Sequence, residues 1–347
     1  MRKLLRSVSV LSVLFGLGTL SRTAGGVYGG LDYPIFSLNG AVGFTAGSVK
    51  YRIGEIEIAD VGLLGSTRET LAWRSELEFP KDIMRGDIVM AIRGEAAPRW
   101  DWAMSVDVWM NLTDPDDKMT DTDYLDYVRS EGFYQWQQWR YITAQNHLRL
   151  YSESDAKLDM AGFDAKLKFV RRTEAGPIGW VLGYRYQEVS YDLYGLEGYA
   201  EGTTVSGVME SIPRTEKVLE YDVLTRMPYV GLVYEFSLFN RLKGSLEGDY
   251  APWVWVDDHD HHIRRAFRNE SETDGTGFML NLTARYDIAP RVFAELKLDY
   301  VRVVTDGDTT RIFYTATEEW PGGMAYNGPI KITDQEAKAS FGVGIEF

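Results

Sequence analysis

The clearest pattern in the chain is a strict alternation of apolar and polar residues at its C-terminus. Every second position carries an apolar side chain: Ala337, Ala339, Phe341, Val343, Ile345 and Phe347. Glu336, Lys338, Ser340 and three small or charged residues stand between them. Because successive side chains of a strand point to opposite faces, this segment has one face suited to lipid and one polar face. It is predicted to be a strand in the wall of a transmembrane β-barrel.

The same alternation recurs along the chain and predicts ten strands. They are placed at 36–58, 68–96, 100–112, 156–171, 178–194, 215–238, 241–256, 275–288, 292–305 and 334–347. Short turns near 97–98, 174–177, 239–240 and 289–290 separate strands at one end. Long polar connections at 113–155, 195–214, 257–274 and 306–333 separate them at the other. The pattern predicts an all-β fold, a ten-stranded antiparallel transmembrane β-barrel with long extracellular loops.

The N-terminus indicates export. Basic residues at the start precede an apolar run over 8–20 and a group of small residues, which is typical of a signal peptide at residues 1–25. Residues 26–347 then form a single barrel domain. There is no cysteine, so disulfides do not stabilise it. Export, the absence of a later apolar run long enough for a membrane helix, 21 Tyr and 10 Trp favour the outer membrane of a Gram-negative bacterium.

The charge of the exported chain limits its partners. Loss of the four basic residues in the leader moves the formal net charge from −14 to −18. Such an acidic protein repels nucleic acid and attracts cationic peptides or proteins.

Candidate chemistry is concentrated in two polar stretches. Residues 257–262 read Asp-Asp-His-Asp-His-His and hold three of the four histidines, and residues 121–126 hold three aspartates. Clusters of titratable groups are costly to maintain and therefore indicate a functional site. In extended chain, Asp121 and Asp123 share a face, as do Asp258, Asp260 and His262. We expect the barrel to bring the two stretches face to face.

These residue types suit hydrolysis of an amide by activated water. An aspartate two residues from a histidine can hold the imidazole in one tautomer, ready to take a proton from water. A facing carboxylate pair can position that water and share a proton as the tetrahedral intermediate forms. One difficulty is the strand phase, because continuing the lipid-facing row of Leu246 and Tyr250 would turn Asp258 and Asp260 outward. A β-bulge near Pro252 is required to reverse the phase.

The two stretches also resemble those of a known family. Met119-Thr-Asp-Thr-Asp-Tyr-Leu-Asp126 and Trp253-Val-Trp-Val-Asp-Asp-His-Asp-His-His262 are similar to the active-site segments of the omptins, ten-stranded outer-membrane endopeptidases of Gram-negative bacteria. The resemblance covers residues 36–347. It implies that Asp121 and Asp123 form the family's aspartate pair and that Asp260 and His262 form its Asp–His dyad. The active site would face outside the cell.

The resemblance further implies cleavage next to basic residues, with Asp258 in the pocket that receives the basic side chain. Three features depart from the family. Val61–Ser66 lacks a second pocket acid, and Phe133–Trp139 is an aromatic insertion. Family members need lipopolysaccharide as an activating lipid. Tyr186-Gln-Glu188 resembles part of that binding site, but Ser190 and Leu224 occupy positions where arginines are expected.

Three alternatives remain open at this point. The barrel could be a non-catalytic adhesin, or a narrow pore lined by interior charges. His259, His261 and His262 could instead bind a metal ion. The interpretation we prefer needs no metal and no cofactor.

Overall fold

The computed structural model describes residues 35–59, 69–129, 146–174, 176–202, 206–239, 241–263, 266–314 and 325–347. The predicted signal peptide lies outside these residues. Twelve β-strands make up almost all of the described chain: β1 (Ile35–Ala59), β2 (Glu69–Pro80), β3 (Ile83–Ala97), β4 (Trp100–Asn111), β5 (Met119–Arg129), β6 (Asn146–Thr173), β7 (Gly176–Gly202), β8 (Ser206–Phe239), β9 (Leu242–His262), β10 (Phe267–Ala289), β11 (Val292–Phe313) and β12 (Ala325–Glu346). No helix within the described residues is long and apolar enough to cross a membrane.

The strands form one closed antiparallel ring. Each pairs with its neighbours, and β12 pairs with β1 to close the sheet. Near the short turns β1 pairs with β3 and β4 with β6, whereas at the other end β1 pairs with β2 and β5 with β6. Thus β2 and β3 are two pieces of one barrel strand, and β4 and β5 are two pieces of another. The ring has ten positions, which confirms the predicted ten-stranded barrel.

The outer face of the barrel near the short turns is apolar. Exposed side chains from every side form this belt: Val42, Ile88, Trp180, Leu232, Leu246, Phe278, Leu296 and Phe341. Along β12, Phe341 and Val343 are exposed whereas Lys338 and Ser340 are buried in the lumen. The predicted alternation is therefore confirmed, and this half of the barrel, called the lower half below, is the part that lipid surrounds.

The lower lumen is filled by paired charges. Lys338 Nζ lies 3.0 Å from a carboxylate oxygen of Asp299, and Lys166 Nζ lies 2.6 Å from Glu247. Buried charges of this kind persist only when each has an opposite charge or hydrogen-bonding partner close by. Above them an aromatic layer crosses the lumen, formed by Tyr51, Phe79, Tyr191 and Tyr221 from four strands. These two layers form the floor beneath the upper lumen.

The strands extend further than the sequence pattern predicts. β5 occupies 119–129, β9 continues to His262, β10 begins at Phe267, and β11 continues to Phe313. Most of the stretches predicted as long loops are therefore strand. Beyond the membrane both faces of a strand can be polar, so the alternation that marks a lipid-facing strand is lost while the backbone pairing continues.

Candidate active site in the upper lumen

A bulge in β9 turns its acidic residues inward. Between Ala251 and Val254, β9 has one more residue than its partners need, and the register shifts against both β8 and β10 at this point. Pro252 lies in the bulge. Below it Leu246 and Tyr250 are exposed to lipid, and above it Asp258 and Asp260 are buried in the lumen. The bulge predicted near Pro252 is confirmed.

Asp260 and His262 form a hydrogen-bonded dyad on the inner wall. Their contact joins His262 Nε2 to Asp260 Oδ2 at 2.9 Å. Asp260 is 5% exposed, and the His262 side chain is 15% exposed. The ring of Phe267, opposite His262 in the β9–β10 register, packs against the imidazole at 4.1 Å between centroids. An ionised Asp260 accepts the Nε2 proton, which leaves Nδ1 as the basic nitrogen of a neutral His262.

Asp258 lies two residues deeper in the same row. It is 2% exposed, and the Tyr221 hydroxyl donates to its Oδ2 at 3.2 Å. Burial raises the pKa of the Asp258 carboxyl to about 7, and the negative charge of Asp260 adds to this effect. A carboxyl buried just above the aromatic layer has little water to stabilise its charge. An opposite charge beside this carboxyl would favour its ionised form.

Asp121 and Asp123 lie on a strand rather than in a loop. In the β2–β5 register they are opposite Leu77 and Ser75, which are both buried on the inner face, so the pair also faces inward. The Ser75 hydroxyl donates to Asp121 Oδ1 at 3.3 Å. β6, β7 and β8 separate this strand from β9 on one side of the ring, so the pair lies on the wall opposite the dyad.

The aromatic layer ties the two walls together below the site. Phe79, on the strand next to β5, stacks on Tyr221 of β8 with ring centroids 4.4 Å apart. Tyr221 is also the hydrogen-bond donor to Asp258. The layer is therefore the floor of the upper lumen, which is called the cleft below, and its Tyr221 hydroxyl also orients Asp258.

The three neighbouring histidines do not converge. His259 and His261 lie on the outer face of β9, where His261 packs against Tyr314, whereas His262 points into the lumen. Within the described ranges no group of three His, Cys, Asp or Glu side chains is arranged to hold a metal ion. The geometry disfavours the three-histidine alternative.

The outer wall at the expected lipopolysaccharide site differs in charge from the arrangement that the resemblance implies. Tyr186 stacks on Phe163, and Ser190 donates a hydrogen bond to Asp222. The Asp222 carboxylate therefore lies beside Ser190, one of the two positions where the resemblance implies an arginine. Leu224, the other position, comes two residues after Asp222 on the same outer face of β8. The two other departures, Val61–Ser66 and Phe133–Trp139, fall outside the described residues.

Several residues of the site carry no signal in the sequence. Tyr221 comes from β8, Phe267 and Asn269 from β10, and Arg311 from β11, and none of them lies in the two active-site stretches that the sequence pattern indicates. The β8–β9–β10–β11 register alone places Tyr221, Asp260, Asn269 and Arg311 in one transverse row.

Comparisons with known proteins agree with this architecture. The model of one family, the omptin family, matches residues 71–327. Among solved structures, the outer-membrane protease OmpT from Escherichia coli aligns with a TM-score of 0.64 at 16% identity, over 92% of this chain and 98% of that chain. OprG from Pseudomonas aeruginosa aligns with a TM-score of 0.35 at 9% identity, over 90% and 95% of the two chains, which is too distant to support an argument. A sequence comparison with curated proteins gives no match.

Proposed function

The chain belongs to the omptin family of Gram-negative outer-membrane β-barrel proteases, and from this premise we propose that it is an endopeptidase that cleaves peptide bonds next to basic residues. The observation that carries the proposal is the Asp260–His262 hydrogen bond, held on the inner wall above a filled lumen. The cleft opens on the side away from the lipid belt, and substrates would enter it from outside the cell.

His262 acts as the general base. With its Nε2 proton directed to Asp260, Nδ1 removes a proton from a water molecule as the oxygen adds to the scissile carbonyl carbon. The resulting imidazolium is stabilised by Asp260 and then protonates the leaving amine as the C–N bond breaks. The proton taken from water is thus returned to the product, and no covalent enzyme intermediate forms.

Asp121 and Asp123 act from the opposite wall. The two aspartates lie two residues apart on the inner face of one strand, so both carboxylates can turn to the same substrate group and share one proton while it reacts. The ionised oxygen positions the attacking water, and the shared proton stabilises the oxyanion of the tetrahedral intermediate. Ser75 contributes by fixing the orientation of Asp121.

Asp258 selects the basic side chain. A guanidinium or ammonium group that enters the cleft supplies the opposite charge and the N–H donors that the buried Asp258 carboxylate lacks. The formal net charge of −14 draws cationic peptides and exposed basic segments of proteins toward the same opening. Lipopolysaccharide is the activating lipid that the family resemblance implies, and the Ser190–Asp222 contact leads us to propose a weaker dependence on it here.

Three variants test the proposal. His262→Ala and Asp260→Ala should each lower kcat by about 10² to 10⁴, the usual size of general-base loss. His261→Ala is the matched control, since this neighbouring histidine lies on the outer face against Tyr314 and should retain nearly full activity. Cleavage sites mapped by mass spectrometry should adjoin Arg or Lys. Undiminished cleavage by His262→Ala would rule out its assigned role.

A further inference from the structure

We propose that Asn269 and Arg311 are positioning residues that hold the Asp260–His262 dyad in its reactive arrangement; this inference rests on the proposed function. Neither residue reaches the reacting atoms. They act through Asp260 and through the ring of Phe267, and they come from the two strands that follow β9 around the barrel.

The backbone register aligns these side chains. Asp260 of β9 is opposite Asn269 of β10, and Asn269 is opposite Arg311 of β11. Asn269 is 3% exposed, and its Nδ2 donates to Asp260 Oδ2 at 2.8 Å. Arg311 Nε donates to Asn269 Oδ1 at 2.9 Å. A chain of hydrogen bonds thus runs from Arg311 through Asn269 to the carboxylate of the dyad.

Arg311 determines which way the Asn269 amide points. A guanidinium has only N–H donors, so the amide oxygen must face Arg311 and the amide NH₂ must face Asp260. Asp260 Oδ2 therefore accepts from Asn269 as well as from His262. With two donors on one oxygen, the carboxylate can rotate little, and the imidazole that it holds is fixed with it.

A second contact route reaches the imidazole itself. Phe267 packs against His262 at 4.1 Å between ring centroids, and the Arg311 guanidinium carbon lies 4.3 Å from the Phe267 centroid. Arg311 is thus held by a hydrogen bond and by a cation–π contact.

The charges that face the dyad are few. On β9 the nearest inward-facing charged residue is Asp258. On β11 it is Arg311, which reaches Asp260 through the hydrogen bonds of Asn269 on β10. From β8 the opposing residues are Leu219 and Tyr221, which carry no formal charge. Asp121 and Asp123 face the dyad from the far wall of the lumen. Arg311 is therefore the cation among the described residues that is coupled to the dyad by contacts.

Asn269→Leu tests the first route because it keeps the side-chain volume and removes the amide. We expect kcat to fall about tenfold to a hundredfold, the size of one hydrogen bond to a charged group, with KM nearly unchanged. Asn269→Asp keeps an acceptor for Arg311 but sets a carboxylate against Asp260, so it should lose more activity. Arg311→Met combined with Asn269→Leu should cost less than the two separate losses multiplied together.

Asn281→Leu is the matched control. Asn281 lies on the same strand, and its Nδ2 donates to Asp249 at 3.1 Å in the lower lumen, away from the dyad. This variant should retain the rate of the parent protein. Equal losses in Asn269→Leu and Asn281→Leu, or an additive double variant, would overturn the inference and indicate general damage to the barrel.

A measurement independent of cleavage separates this inference from the proposed function. The chain has four histidines, so ¹⁵N-histidine NMR in detergent can follow the His262 ring directly. Asn269→Leu and Arg311→Met should change the His262 Nε2 signal and speed the exchange of its proton with water, because the Asp260 carboxylate that accepts this proton is no longer held in place, and Asn281→Leu should not. An inactive parent protein would refute the proposed function, whereas an unchanged His262 signal in Asn269→Leu and Arg311→Met would refute the positioning role.

Discussion

Binding of a basic peptide should depend on the ionisation of Asp258. Burial above the aromatic layer raises the pKa of this carboxyl to about 7, so the empty cleft holds a neutral acid below that pH and a carboxylate above it. A substrate guanidinium pairs with the carboxylate and not with the acid. At low pH, the Asp258 carboxyl must therefore lose its proton before the peptide can bind.

The size of the effect follows from this shift. Below about pH 7 each further pH unit weakens binding about tenfold, so the affinity at pH 5 should be roughly 100-fold lower than its value above pH 7, about 2.7 kcal/mol. The sign is fixed because a bound cation favours the ionised form. Affinity must therefore rise with pH and level off once Asp258 is ionised in the free protein.

Direct binding gives the cleanest assay, because it does not depend on the catalytic rate. A fluorescent peptide with a reduced, uncleavable bond between two arginines can be titrated by anisotropy between pH 5 and 8. Asp258→Asn should bind weakly and show little dependence on pH. His262→Gln removes the imidazole of the same inner row and should keep the steep dependence. A flat curve for the parent protein, or a steep curve for Asp258→Asn, would contradict the reasoning.

Three further predictions concern the barrel itself. Phe79→Ala removes a fully buried ring from the aromatic layer and should destabilise the barrel by about 3 to 5 kcal/mol; an unchanged urea midpoint for unfolding would show that the layer is not a structural floor. In planar bilayers the parent protein should show no stable conductance, because pairs such as Lys338–Asp299 fill the lower lumen, and steady single-channel currents would support the pore alternative. Ser190→Arg should increase activation by lipopolysaccharide in a cleavage assay, since it restores a cation on the outer wall, and equal activation of both proteins would argue against a phosphate site there.

The lipid-facing half of the barrel was predictable because every side chain that contacts lipid must be apolar. Phe341 and Val343 contact acyl chains, whereas Lys338 points into the charged lumen. The sequence therefore alternates between apolar and polar residues with the two-residue period of a strand. This is why the ten-stranded fold and the outer-membrane location are confirmed. The sequence pattern predicts a loop at Asp121 and Asp123, because the strand that carries them is surrounded by water on its outer face and need not be apolar there.

The dyad was predictable for a different reason. Residues two apart on a strand share a face, which joins Asp260 to His262, and the phase conflict with Tyr250 required a bulge near Pro252. Asn269 and Arg311 could not be found in this way, because they meet the dyad only through the register of β10 and β11. A single asparagine in a polar strand has many equivalent positions in the sequence.

The most direct test of the central claim is cleavage of a quenched fluorescent peptide with an Arg-Arg centre by refolded protein with lipopolysaccharide. The parent protein, His262→Ala and a chelator-treated sample should be compared under the same conditions. The proposed mechanism predicts cleavage by the parent protein, loss of about 10² to 10⁴ in His262→Ala, and no effect of the chelator. A folded parent barrel that leaves the peptide intact, or cleavage that the chelator abolishes, would contradict hydrolysis by an Asp–His dyad.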